Sequence, residues 1–150
     1  MSFLPKLFVC IFLWFHLCNI LKANNTPPSS KVFEPFRITI TNKDVPNVMM
    51  RCDDLGGEVL KPGDSTSWKF RMNFFDSNRY GCRFFWVEGS NIRKFSEFNA
   101  FDDEIHDLCM NGLSMNRCYW YVSQNGFYYS NYNVSFPSSL WSLKHEWKDM

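Results

Sequence analysis

The sequence lacks most of the motifs that announce chemistry. It has three histidines in 150 residues, and no Gly-x-Ser-x-Gly, His-Glu-x-x-His, phosphate-binding glycine loop or EF-hand spacing. Hydrolase, zinc-protease and nucleotide-binding readings therefore have no anchor, and the chain reads as a non-enzymatic protein without a cofactor. No charge of one sign dominates, since 16 Lys and Arg face 15 Asp and Glu. Nucleic acids and anionic bilayers both call for a basic patch, so neither partner is expected. No Cys-x-x-Cys pair is present, and no long apolar run follows residue 21, so stable membrane insertion is not expected. Sustained helical periodicity and internal repeats are also missing.

What is present begins with an export pattern. Lys6 precedes a nearly unbroken apolar run from Leu7 to Leu21, and Ala23 sits just before a polar segment. Charged start, apolar centre and small cleavage residue are the three parts of a secretory signal peptide, residues 1–23. A retained signal-anchor helix is the alternative. The run falls short of the roughly 20 residues a span needs, and His16 and Asn19 interrupt it. Cleavage would remove Lys6 and Lys22, leaving 14 basic residues against 15 acidic ones and a net charge of −1. The expected product is extracellular, with a flexible Pro-rich leader at 24–35, one domain at 36–137 and a C-terminal tail at 138–150.

Cleavage would also remove Cys10 and Cys18, leaving Cys52, Cys82, Cys109 and Cys118. Four cysteines in a small exported domain read as two disulfides with three possible connectivities. Their wide spacing fits no compact zinc site, and no metal is expected.

Period-2 alternation then runs through the chain. Phe36, Ile38 and Ile40 share one face of a strand, as do Val48, Met50 and Cys52, and then Trp68, Phe70 and Met72. In "YGCRFFWVE" Tyr80, Cys82, Phe84 and Trp86 alternate, while Phe85 and Val87 make the second face apolar too. That pattern predicts a central strand covered on both sides. "EGSN" at 88–91 reads as a turn, and the aromatic stretch after it as a strand with a bulge. Cys118, Trp120 and Val122 alternate up to Asn125-Gly126, a hairpin turn signal. Twenty-eight aromatic residues favour strands over helices. Together these features predict an all-β protein, a small antiparallel sandwich stabilised by two disulfides.

Few residues offer themselves as a site. His106 stands among Asp102, Asp103, Glu104 and Asp107, which suggests an acid–base or metal cluster, but a solvated acidic loop explains the run better. "DDEIHDLCM" is also the one helical candidate. Asp53-Asp54 lacks the alternating oxygen ligands of a calcium loop, because Leu55, Gly56 and Gly57 follow. Those residues read as a turn, as does Lys61-Pro62-Gly63-Asp64. Asn133-Val134-Ser135 is a glycosylation sequon, and Asn24-Asn25-Thr26 is a second beside the cleavage point. Trp141 and Trp147 in the tail either pack back on the domain or stay free.

The ordered set "TITN", "CDDLG", "WKFRMNFF", "YGCRFFW", a cysteine before "CYW", and "NGFYY" resembles the plant self-incompatibility proteins, or S-protein homologues. The resemblance covers roughly 36–130. It implies a secreted β-sandwich that acts as an extracellular signalling or recognition ligand, in self-incompatibility or other cell–cell communication. Its partner would be a cell-surface receptor protein, and the ligand would act as a monomer. It also implies the pairs Cys52–Cys118 and Cys82–Cys109. Cys52 abuts Asp53 here, whereas relatives carry several more residues before the Asp-Asp-Leu-Gly element. Contacts made by that loop in relatives therefore do not carry over. Recognition residues are expected in the loops 43–47, 53–57, 76–79 and 102–107, because loops vary without cost to a rigid core. A secreted defence or membrane-active protein is the alternative reading, weakened by the near-neutral charge. A hydrolase built on His106 stands behind it.

Overall fold

The computed structural model describes residues 35–53, 55–73, 78–110 and 115–150. The expected signal peptide, most of the Pro-rich leader, the Asn24 sequon and Asp54 lie outside the described residues. Those residues form two sheets of five strands each. In the first, the order is β4 (Ser65–Arg71), β1 (Pro35–Asn42), β7 (Asn116–Ser123), β8 (Gly126–Ser130) and β9 (Ser142–His145). In the second it is β10 (Lys148–Asp149), β6 (Asn91–Phe101), β5 (Tyr80–Glu88), β2 (Val48–Cys52) and β3 (Gly56–Leu60). One short helix, α1 (Asp103–Cys109), follows β6. All pairings are antiparallel except β1 with β7, which run parallel.

The alternation in the sequence sets which side chains face the core. Phe36, Ile38 and Ile40 from β1, Val48, Met50 and Cys52 from β2, and Cys118, Trp120 and Val122 from β7 are all buried. Phe84 and Phe98 stack with centroids 5.0 Å apart and meet Phe127 across the sheets at 4.9 Å each. Trp120 donates from Nε1 to the Ala100 carbonyl at 3.0 Å, so the largest core side chain also pairs its one polar atom across the sandwich. Asn42 ends β1 in the interior. Its Nδ2 donates to the carbonyls of Val45 and Leu60 at 2.7 and 2.8 Å, and its Oδ1 accepts from Val45 N at 3.0 Å.

Three expectations are corrected. β5 does lie at the centre of its sheet, but its second face carries exposed Arg83 and half-buried Phe85 and Val87, and no layer among the described residues covers it. A sandwich offers each sheet only one buried face. The domain does not stop at residue 137. β9 pairs with β8, β10 pairs with β6, and Trp147 packs on Phe127 at 4.5 Å while donating to the Ser123 carbonyl at 2.7 Å. The last residues thus cross from one sheet to the other and close one side.

The disulfides are Cys52–Cys82 and Cys109–Cys118, not the pairs Cys52–Cys118 and Cys82–Cys109 that the resemblance implied. Register decides this. Cys52 and Cys82 are directly opposite on β2 and β5, with Cα atoms 4.0 Å apart, whereas Cys118 belongs to the other sheet. Cys109 ends α1 and faces Cys118 at a Cα separation of 5.3 Å. Each bridge is therefore local: one within a sheet, one from helix to strand.

Candidate recognition surface

Strand directions sort the connections onto two ends. Cys52 opposes Cys82 and Tyr80 opposes Phe101, which brings together the end of β2, the start of β5 and the end of β6. In the other sheet Pro35 opposes Arg71, Phe36 lies beside Asn116, and Ser130 opposes Tyr119. Ring contacts join these ends, Phe36 to Phe101 at 5.1 Å and Phe70 to Tyr80 at 4.7 Å. The connections β2–β3, β4–β5, β6–β7 and β8–β9 therefore leave from the same end. The opposite end carries the turns 61–64, 89–90 and 124–125 and the segment 43–47.

Both disulfides brace the loop-bearing end. Cys52 is the last residue of β2, and Cys118 is the third of β7. Backbone bonds from Asp53 N to the Gly81 carbonyl (2.9 Å) and from Leu55 N to the Cys52 carbonyl (3.2 Å) hold the short β2–β3 turn. Gly56 takes φ +79°, a left-handed conformation that glycine adopts without strain. Arg79 reaches Asp103 at 3.3 Å and links the β4–β5 connection to the helix.

The acidic run is a helix and not a solvated loop. Asp102 caps α1 by accepting from Ile105 N at 3.1 Å, and Asp103 and Glu104 occupy the first turn, where the helix dipole favours anions. Asp103, Glu104 and Asp107 face solvent, while Ile105, His106 and Cys109 are buried. His106 packs against Phe36 and Phe101 with centroids 5.3 and 6.2 Å apart. Its Nδ1 meets Asp107 Oδ1 at 3.0 Å, and Nε2 is buried without a hydrogen-bond partner. Of the carboxylates around it in sequence, Asp107 meets the imidazole, while Asp103 and Glu104 face solvent. Among the described residues no three His, Cys, Asp or Glu side chains are placed to hold a metal ion, and no helix is long and apolar enough to cross a membrane.

The four expected recognition loops divide unequally. The described residues of 53–57 and all of 102–107 belong to the loop-bearing end, as do Asn78 and Arg79 of the third, whose residues 76–77 lie outside the described residues. Gly56 and Gly57 are already part of β3. The segment 43–47 lies at the opposite end, where Val45 is buried and Asp44 accepts from Gln124 N at 2.9 Å. Asn133 is exposed in the β8–β9 connection, as a usable sequon requires.

One concavity went unread in the sequence. A cleft of about 330 Å³ is lined by Phe98, Asn99, Asp102, Glu104, Ile105, Lys144 and His145. Lys144 Nζ bonds Glu104 Oε1 at 2.9 Å across it. His145 stacks on Phe98 at 4.0 Å, and burial lowers its pKa from the ordinary 6.5, against the pull of Glu104 and Asp102. Lys144 and His145 come from the segment read as a tail, so only the sheet crossing could have revealed them.

Comparison with known proteins agrees with this architecture. A profile of the plant self-incompatibility protein S1 family matches residues 37–147. The chain is 29% identical to S-protein homolog 2 of Arabidopsis thaliana over 119 residues, which cover 74% of this chain and 71% of that protein. It is 27% identical to S-protein homolog 27 of the same plant over 128 residues, covering 82% and 79%. A solved structure of self-incompatibility protein homologues, described as small, highly stable, secreted plant proteins, shares the fold. Its TM-score is 0.55 at 17% identity, and the match covers 78% of this chain and 97% of that one. The matched region runs from β1 to Trp147, and the chain belongs to the plant self-incompatibility protein S1 family.

Proposed function

We propose that the protein is an exported recognition ligand whose loop-bearing end is read by a receptor protein on a cell surface, in self-incompatibility or another form of cell–cell communication. The observation that carries this reading is the gathering of four connections at one end, directly above both disulfides. Such an end sets loop residues on a rigid frame, which limits the entropy lost on binding. Export is supported by the N-terminal pattern, by the two disulfides and by the secreted character of the solved relatives. The reading is non-enzymatic and needs no cofactor. His106, the acid–base candidate, is buried against Phe36 and Phe101. Asn133 carries a glycan in the exported form.

The test is to express the full chain in plant cells and recover it from the medium. Fluorescently labelled protein is then added to intact cells of several tissues. Saturable binding that protease treatment of the cells abolishes supports the reading. Retention inside the producing cells, or equal binding to protein-free lipid vesicles, contradicts it.

A further inference from the structure

The outer face of the β10-β6-β5-β2-β3 sheet has a pattern that the recognition loops do not explain. Register places Val59, Met49, Phe85 and Phe95 in one row across four strands, with Val87 and Ile92 beside it. Val59 is 59% exposed, Met49 37% and Ile92 39%. Half-buried Phe85 and Phe95 complete the row, and Lys148 Nζ lies 5.8 Å from the Phe95 ring centre. The next row pairs Arg51 directly with Arg83, and both are exposed. Like charges opposite each other weaken a ladder. Glu97 stands opposite Arg83, yet neither guanidinium enters an ion pair among the described residues. Folding alone would favour a different pair at these positions.

We infer that this face is a second docking surface, built for an acidic protein segment that lays apolar side chains along the Val59–Phe95 row and carboxylates against Arg51 and Arg83. Charge complementarity selects that occupant. A second copy in a two-fold contact would set the arginine rows against each other. An anionic bilayer is recognised by clusters of about four to eight basic residues, and this face offers fewer, with Glu97 among them. The proposal goes beyond the loop-end reading and concerns a different part of the molecule.

The probe is a synthetic extended peptide alternating Leu or Val with Asp and Glu, beside a matched peptide with Lys in place of the acids. Each is titrated into the full exported chain while the methyl resonances of Met49, Val59 and Ile92 are followed by NMR. The acidic peptide is expected to move these signals and the lysine peptide to leave them in place. In the Arg51→Gln/Arg83→Gln variant, affinity should fall about fivefold, as two exposed ion pairs would supply. Arg51→Gln alone should be at least as stable as the parent chain while binding more weakly, a combination that a purely structural arginine would not give. Equal binding of both peptides, or shifts confined to the loop-bearing end, would overturn the inference. So would self-association through this face, or a response of the same methyls to phosphatidylserine vesicles in place of the peptide. No cell or receptor enters this test, so its failure leaves the loop-end reading standing, and the converse holds.

Discussion

Cys52 and Cys82 stand directly opposite each other on adjacent antiparallel strands, and their disulfide ties the β2–β3 turn to the central strand of its sheet. Cys109 and Cys118 close a much shorter loop between α1 and β7. Chain-entropy estimates for separations of 30 and 9 residues give about 3.5 and 2.5 kcal/mol of stabilisation. Replacing Cys52 and Cys82 together by alanine should therefore lower unfolding free energy more than replacing Cys109 and Cys118. Urea titration of the two double variants checks the order. Non-reducing peptide mapping of the parent chain should recover only the two local pairs.

Asn42 offers a second prediction. Its buried side chain makes three hydrogen bonds that join β1, the 43–47 segment and β3. Asn42→Ala leaves the Leu60 and Val45 carbonyls and the Val45 amide without those partners, and should cost about 3 kcal/mol. Asn42→Asp should be at least as damaging, because a carboxylate cannot donate to either carbonyl. Thermal unfolding of both variants tests this, and a loss below about 1 kcal/mol would show that water substitutes there.

His145 makes stability depend on pH. Burial against Phe98 and Trp120 lowers its pKa in the folded state, so the unfolded chain takes up a proton first as pH falls through 6.5. Its contribution is present above 6.5 and is lost progressively as pH drops toward the depressed folded-state value. The urea midpoint should fall between pH 7.5 and 5, and His145→Gln should flatten that fall. Glu104 and Asp102 oppose the shift, so the decline should steepen in Glu104→Gln.

The sheet strands with strict alternation were legible in the sequence, because period 2 reports a face and β1, β2, β5 and β7 each bury one. β3 was not. In Gly56–Leu60 only Leu60 is buried, so an edge strand with a glycine start left no periodic trace. The hairpin was read one residue late: Gln124 and Asn125 form the turn, and Gly126 opens β8 opposite Ser123. Gly126 is required for another reason. At φ +130°, a Cβ there would lie 2.5 Å from the His145 carbonyl oxygen, so the glycine lets β9 approach. β9 and β10 were invisible because their pairing depends on a crossing between sheets, which no local pattern encodes. The disulfide partners were missed for a different reason: Cys52 meets Cys82 through the register of β2 on β5, and spacing along the chain does not encode register. His106 misled in the opposite sense: Asp103 and Glu104 lie on the solvent side of α1 and Asp107 alone of the helix's acids meets the imidazole, which turns inward to Phe36.

The loop-bearing end proposed for recognition gathers exposed residues from several connections. Arg79 and Asp103 form a surface ion pair, worth about 0–1 kcal/mol, so changing either should leave the fold intact. Leu55, Leu108 and Tyr132 are exposed apolar residues in the β2–β3, β6–β7 and β8–β9 connections. Charge reversal or truncation there should alter binding without altering the unfolding midpoint.

The most direct measurement compares the two ends of the sandwich in cell-surface binding. Leu55→Asp, Arg79→Glu, Leu108→Asp and Tyr132→Ala mark the loop-bearing end, and Lys43→Glu and Lys61→Glu the opposite one. At least one change at the loop-bearing end should weaken saturable binding tenfold or more, on the order of the 1.4 kcal/mol an interface residue supplies. Both changes at the opposite end should leave binding as it was. Full binding by all four loop-end variants, or loss only in the Lys43 and Lys61 variants, would contradict the account.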